Sequence, residues 1–203
     1  MPKVSDAHLE ARRRQILDAA ARCFAREGFH RTSMQDVVRE CGISAGLVYR
    51  YFASKDDMIV AIVTEWHERR QALIEPPGGA PARRAGLDDA EAAYLALLRS
   101  TGDPESREDV RLGVQVWAET ARSERLREVA RRGVDGPRGV LVQAIREAQQ
   151  DGDVTPDVDP DALVRILIAI YQGIRLQTLW DETVDHEAVV RTTGAILAAL
   201  SPR

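Results

Sequence analysis

Asparagine is absent from the chain, and its two lysines stand against 26 arginines. That skew hints at a GC-rich coding sequence and carries no chemistry. Cysteine occurs only twice, as Cys23 and Cys41, at no metal-ligand spacing and in too small a number for a disulfide framework. The pair reads as reduced core thiols of a cytosolic protein. Aromatics are 5% of the residues and β-branched clusters are few, which disfavours sheets. No uninterrupted apolar stretch exceeds seven residues, with Ile166–Tyr171 a run of six, far short of a membrane span. The opening residues are polar and end in Arg12-Arg13-Arg14, so no secretory leader is expected.

What is present is ordinary in bulk and uneven in distribution. With 203 residues, 44% apolar and 30% charged, the chain has the composition of one large or two small globular domains. Its net charge of -4 divides sharply. Residues 1–55 hold ten basic and six acidic residues, a balance of +4, which leaves -8 for residues 56–203. A basic head on an acidic body suggests that only the head meets a polyanion.

Hydrophobic periodicity is helical throughout. A first helix is expected over Asp6–Arg26, with Leu9, Ile16, Ala20 and Phe24 on one stripe and Gly28 as its left-handed terminator. Ser33 and Asp36 form a capping pattern ahead of a short helix, Met34–Glu40. A turn, Cys41-Gly42-Ile43, leads into a second short helix from Ser44 to about Phe52. Ser54 and Asp57 repeat the capping pattern and open a long helix through Ile74. Pro76–Pro81 reads as a connector. Further helices are expected near 87–100, 105–122, 124–150, 160–181 and 185–200, with Asp103-Pro104 and Asp159-Pro160 as caps. Gly133 and Gly136-Pro137 are expected to break or kink the 124–150 segment. The fold class is therefore all-α: a three-helix head over residues 1–55 and a helical body over 56–203.

Two short helices around a tight glycine turn form a helix-turn-helix. Gly42 can take the positive φ of the reversal, and Val38, Ile43, Val48 and Phe52 are spaced to make one small core. Leu47, Tyr49, Arg50 and Tyr51 then turn outward, toward a groove about 12 Å wide.

These residues carry a family resemblance. Ile16-Leu17-Asp18-Ala19-Ala20, Phe24–Phe29, Thr32-Ser33-Met34 and the run Gly42–Lys55 resemble, in order and spacing over about 50 residues, the N-terminal domain of the tetracycline-repressor (TetR) family. The resemblance implies a homodimeric transcription factor, usually a repressor, whose C-terminal domain binds a small-molecule effector and sets the separation of two DNA-reading helices. It places Thr32 and Ser33 on backbone phosphate at a helix N-terminus. Tyr49, Tyr51 and Lys55 fall at phosphate-gripping positions, while Ser44, Ala45, Gly46, Leu47 and Arg50 fall on the groove-facing helix. Arg50 is the candidate for direct readout, because its fork matches guanine O6 and N7. Two departures stand out: many members have lysine where Ala45 stands and a small polar residue where Leu47 stands. Both positions here suit thymine methyl groups. A plainer reading packs Tyr49 and Tyr51 against the first helix and leaves Arg12–Arg14 as a solvated face.

The 160–181 helix is apolar nearly all round, so it must be buried on two sides. With the 185–200 helix it would form a four-helix bundle between two copies, as the resemblance implies; an intramolecular core is the alternative. Candidate effector contacts are Tyr94, Leu98, Trp117, Glu119, Tyr171, Gln172, Arg175 and Trp180, although Trp117 and Tyr171 at helical spacing also suit plain core, and Arg175 and Glu119 an ion pair.

Enzymatic motifs fail on context. Gly42-Ile43-Ser44-Ala45-Gly46 has the letters of a nucleophile elbow, but a helix precedes it where a strand is required. The acidic stretch 151–161 lacks a calcium-loop register, His67-Glu68 lacks a second histidine, and no glycine loop precedes Lys-Ser/Thr. No cofactor or metal is expected, and the remaining rivals are a helical carrier or enzyme with a vestigial head, and an activator in place of a repressor.

Overall fold

A computed structural model describes residues 6–74, 87–103 and 106–200. The expected connector Pro76–Pro81 and Pro104 of the Asp103-Pro104 cap lie outside them. The described residues form nine α-helices and one 3-10 turn, Ser100–Gly102, without a strand. In order the helices are α1 (Asp6–Glu27), α2 (Met34–Cys41), α3 (Ala45–Tyr51), α4 (Lys55–Ile74), α5 (Leu87–Arg99), α6 (Ser106–Thr120), α7 (Glu124–Asp151), α8 (Pro160–Gln177) and α9 (His186–Ala198). None is long and apolar enough to cross a membrane.

The chain divides into two compact units. One unit runs to Trp66 and takes in Arg111–Ala130; the other holds His67–Val110 and Arg131–Arg203. Helices α4, α6 and α7 each contribute residues to both.

The first unit is built on Ile16, Ala20, Cys23 and Phe24 of α1, all fully buried, with Val37, Val48, Met58 and Ile59. Each large side chain removed from water there contributes about 1.5–3 kcal/mol. Leu112 and Val116 of α6 and Leu126 of α7 belong to the same core. Leu9, expected on the α1 stripe, is exposed instead.

In the second unit, Val142, Ile145 and Ala148 of α7 pack with Val154 and Val164. Tyr94 and Leu98 of α5 pack with Leu167 of α8 and Val190 of α9. The Asp159 carboxylate accepts from Ala162 N at 2.7 Å, so α8 starts at the expected cap, and Asp185 caps α9 by accepting from Ala188 N at 2.9 Å.

The expected break in α7 does not occur: the helix is continuous through Gly133, Gly136 and Pro137. Proline removes one ladder bond and crowds the carbonyl four residues back. Here that residue is Gly133, and burial of Val142, Ile145 and Ala148 holds the rest of the helix in register.

Candidate nucleic-acid interface

Helix α2 begins in a complete capping box. Ser33 Oγ accepts from Asp36 N at 3.2 Å, and the Asp36 carboxylate accepts from Ser33 N at 2.9 Å and Ser33 Oγ at 2.6 Å. Those bonds favour the ionised carboxylate, so the Asp36 acid sits below its ordinary range. The helix ends on Gly42, whose φ of 70° is the left-handed conformation the reversal needs. Helix α3 follows at once, with Ser44 in the N-cap position but without a side-chain cap bond.

Val48 and Phe52 lock the inner side of α3 into the core, and Val38 and Ile43 pack beside them. Ala45, Gly46 and Arg50 are exposed, Leu47 is half-buried, and Tyr49 is 51% exposed. Tyr51 is half-buried against the core. Arg50 makes no hydrogen bond or ion pair among the described residues, nor do Arg14 and Arg31. Other arginines of this unit are neutralised locally: Arg22 and Arg26 both bind Glu40, at 3.0 and 3.3 Å, and Arg13 pairs with Glu65. The Arg22 hydrogen bond, then that of Arg26, holds the Glu40 acid below its usual range.

Two expected phosphate contacts have other duties here. Thr32 is 1% exposed, and its hydroxyl donates to Gly28 O at 2.8 Å and Cys23 O at 3.3 Å. Its side chain closes the α1–α2 turn because Gly28, at φ 91°, presents its carbonyl inward. Lys55 Nζ donates to Phe29 O at 2.8 Å and lies over the Phe29 ring, 4.9 Å from its centroid. A cation at the first position of a helix opposes the macrodipole; bending it onto a carbonyl and a ring face, with Asp56 and Asp57 beside it, offsets that cost.

The same turn is held by α6, which sequence reasoning missed. Gln115 Oε1 accepts from Phe29 N at 2.7 Å and its Nε2 donates to Phe24 O at 3.0 Å. His30 Nε2 meets Glu119 Oε1 at 2.7 Å. A polar residue four positions before Glu119, on a helix whose Leu112 and Val116 face the core, was the available signal.

The eight expected effector contacts do not share one unit. Trp117 and Glu119 belong with the helix-turn-helix; Trp117 is 49% exposed and Glu119 is taken up by His30. The other six fall in the second unit. Tyr94 and Leu98 are core, with Tyr94 Oη donating to Leu167 O at 2.8 Å and burial raising the phenol pKa. Tyr171, Gln172 and Arg175 are half-buried along α8, where Arg175 Nη1 donates to Tyr171 Oη at 3.2 Å. Trp180 is 66% exposed. Glu119 has His30 as its partner, and Arg175 has Tyr171.

Comparison with known proteins agrees with this geometry. Residues 16–62 match the family described as "Bacterial regulatory proteins, tetR family", and residues 87–202 match "BetI-type transcriptional repressor, C-terminal". The HTH-type transcriptional regulator UidR of Escherichia coli is 27% identical over 162 residues, 80% of this chain and 79% of that protein. The HTH-type transcriptional repressor Rv1474c of Mycobacterium tuberculosis is 42% identical over 78 residues, which cover 38% of this chain and 42% of that protein. Among solved structures, Salmonella enterica GusR superposes with a TM-score of 0.75 at 29% identity, covering 98% of this chain and 99% of that one. A transcriptional regulator from Saccharomonospora viridis in complex with choline gives 0.72 at 25% identity, covering 96% and 100%. With the N-terminal match lying on α1–α4 and the C-terminal match spanning more than half the sequence, the chain belongs to the TetR family of helix-turn-helix transcriptional regulators.

Proposed function

We propose that the protein is an effector-responsive repressor that binds a pseudo-palindromic operator as a homodimer. The observation that carries the reading is α3: a short helix pinned by Val48 and Phe52, with Arg50 unpaired and Tyr49 exposed on its outer side. Arg50 reads a base edge, Ala45 and Leu47 contact thymine methyls, and Ser33, Ser44, Gly46, Tyr49 and Tyr51 lie along the backbone. Thr32 and Lys55 position the reading unit by bracing the α1–α2 turn.

The dimer forms through α8 and α9. Val164 and Leu167 face their own core, whereas Ile166, Leu176, Trp180 and Ile196 are exposed apolar side chains. A second copy covers them by twofold symmetry and sets two α3 helices one DNA turn, about 34 Å, apart. The effector, a small organic molecule, binds in the α-helical body near Tyr171, Gln172 and Arg175 and favours a dimer whose reading helices no longer match that spacing. It shifts the equilibrium only by its differential affinity for the two states.

Fluorescence anisotropy with DNA from upstream of the protein's own gene tests the reading. Tight binding that weakens steeply with salt, and is lost in Arg50→Ala, is the expected result. Salt-insensitive binding, or none to any genomic fragment, would favour a carrier with a vestigial head.

A further inference from the structure

The second unit has two half-buried arginines among the described residues, and they are treated differently. Arg138 has Asp135 at 3.3 Å and Asp161 at 3.9 Å. Arg175 has no carboxylate partner among the described residues; Tyr171 is its partner, through the 3.2 Å hydrogen bond and a ring face 5.5 Å from the guanidinium carbon. The contrast repeats along α8 itself. Arg165, exposed, pairs with Asp161 one turn earlier at 2.7 Å, while the residue one turn before Arg175 is the phenol of Tyr171.

Position makes the missing counter-ion meaningful. Val164, Leu167, Tyr171, Arg175 and Thr178 recur at three- and four-residue steps, so they share one stripe of α8. Val164, Leu167 and Thr178 are buried, so that stripe faces the unit's interior. The exposed Ile166 and Leu176 lie on another side of the helix. A guanidinium on an inward stripe is costly when unmatched, and a ligand that brings the opposite charge recovers that cost. Its planar fork accepts a carboxylate or phosphate in two parallel hydrogen bonds.

We propose that the effector is an organic anion whose carboxylate or phosphate is bound by Arg175, with Tyr171 orienting the guanidinium. This rests on the reading of the protein as an effector-responsive regulator. It also separates this chain from a choline-type ligand. A quaternary ammonium needs open aromatic faces and no neighbouring cation, whereas here the Tyr171 face is already taken by Arg175.

Matched probes test it on the full-length protein. Octanoate, benzoate and phenyl phosphate carry the anion, octanol and benzyl alcohol keep the apolar body without it, and choline reverses the charge. Isothermal titration and thermal melting should show the anions binding and raising the melting temperature, with the neutral and cationic probes at least about tenfold weaker. The carboxylate and phosphate arms identify which anion is preferred. In Arg175→Gln the preference for anion over neutral analogue should vanish, and in Arg175→Lys it should be partly kept; because the wild-type comparison stands alone, a variant that fails to fold does not decide the matter. Choline or the alcohols binding as well as the anions, an undiminished anion preference in Arg175→Gln, or no anion binding at all would overturn the proposal. Operator anisotropy on the same samples keeps the two readings apart: failure to bind DNA overturns the regulator reading, and failure to prefer anions overturns only this one.

Discussion

Lys55 Nζ donates to the Phe29 carbonyl at 2.8 Å and stands 4.9 Å over the same residue's ring. The Phe29 N–H, on the other side of that residue, is bound to Gln115 of α6. One residue of the α1–α2 turn is thereby tied both to the start of α4 and to α6. Replacing Lys55 by Met should lower stability by about 1–2 kcal/mol, read as an earlier urea midpoint. A bracing role leaves the salt dependence of operator binding nearly unchanged; loss of a direct phosphate contact would reduce its logarithmic slope by about one. Gln115→Ala should behave as a brace too, since it leaves the Phe29 N–H without its partner.

Arg50 makes the opposite kind of prediction. Arg50→Ala removes a side chain with no hydrogen bond or ion pair among the described residues, so the melting temperature should stay close to that of the native protein. Operator binding should lose about 1–3 kcal/mol per half-site, together with discrimination at one G·C pair. Competition against operators substituted at that pair separates this from a uniform loss of charge.

Within the second unit, a Cβ added to Gly133 would overlap the His67 ring. Gly133→Ala must therefore expel the His67 ring or move α7, at about 1–3 kcal/mol. The same change in a His67→Ala background should cost far less, a coupling that a double-mutant cycle of chemical denaturation measures directly.

Acid should weaken the helix-turn-helix unit through three carboxylates. Ser33 lowers the Asp36 acid, Arg22 lowers Glu40, and Arg125 at 2.8 Å lowers Asp57. Each folded-state value lies below its unfolded one, so each contribution is complete above the ordinary carboxylate range, near pH 4, and fades as the pH falls through the lowered folded value. Denaturation midpoints measured from pH 6 down to pH 2 should decline across that window. Asp57→Asn should begin lower and fall less steeply, and an identical profile in the variant would contradict the assignment.

Local chemistry in the sequence determined a great deal. Ser33 with Asp36, Gly42, and the spacing of Val48 and Phe52 defined α2, the turn and α3, because capping, positive φ and four-residue periodicity act over a single turn of chain. The same locality explains the cap at Asp159. Tertiary structure alone decided what non-local partners do. Leu9 is exposed although it continues the stripe of Ile16, Ala20 and Phe24, and α7 stays continuous through Pro137 because its buried face outweighs one lost backbone bond. Thr32 and Lys55 turn inward because carbonyls of the α1–α2 turn wait there, and Glu119 joins His30 across 89 residues of sequence. Helix boundaries follow from interactions a few residues long; the choice among equally suitable polar partners is made by which ones the folded core brings within 3 Å.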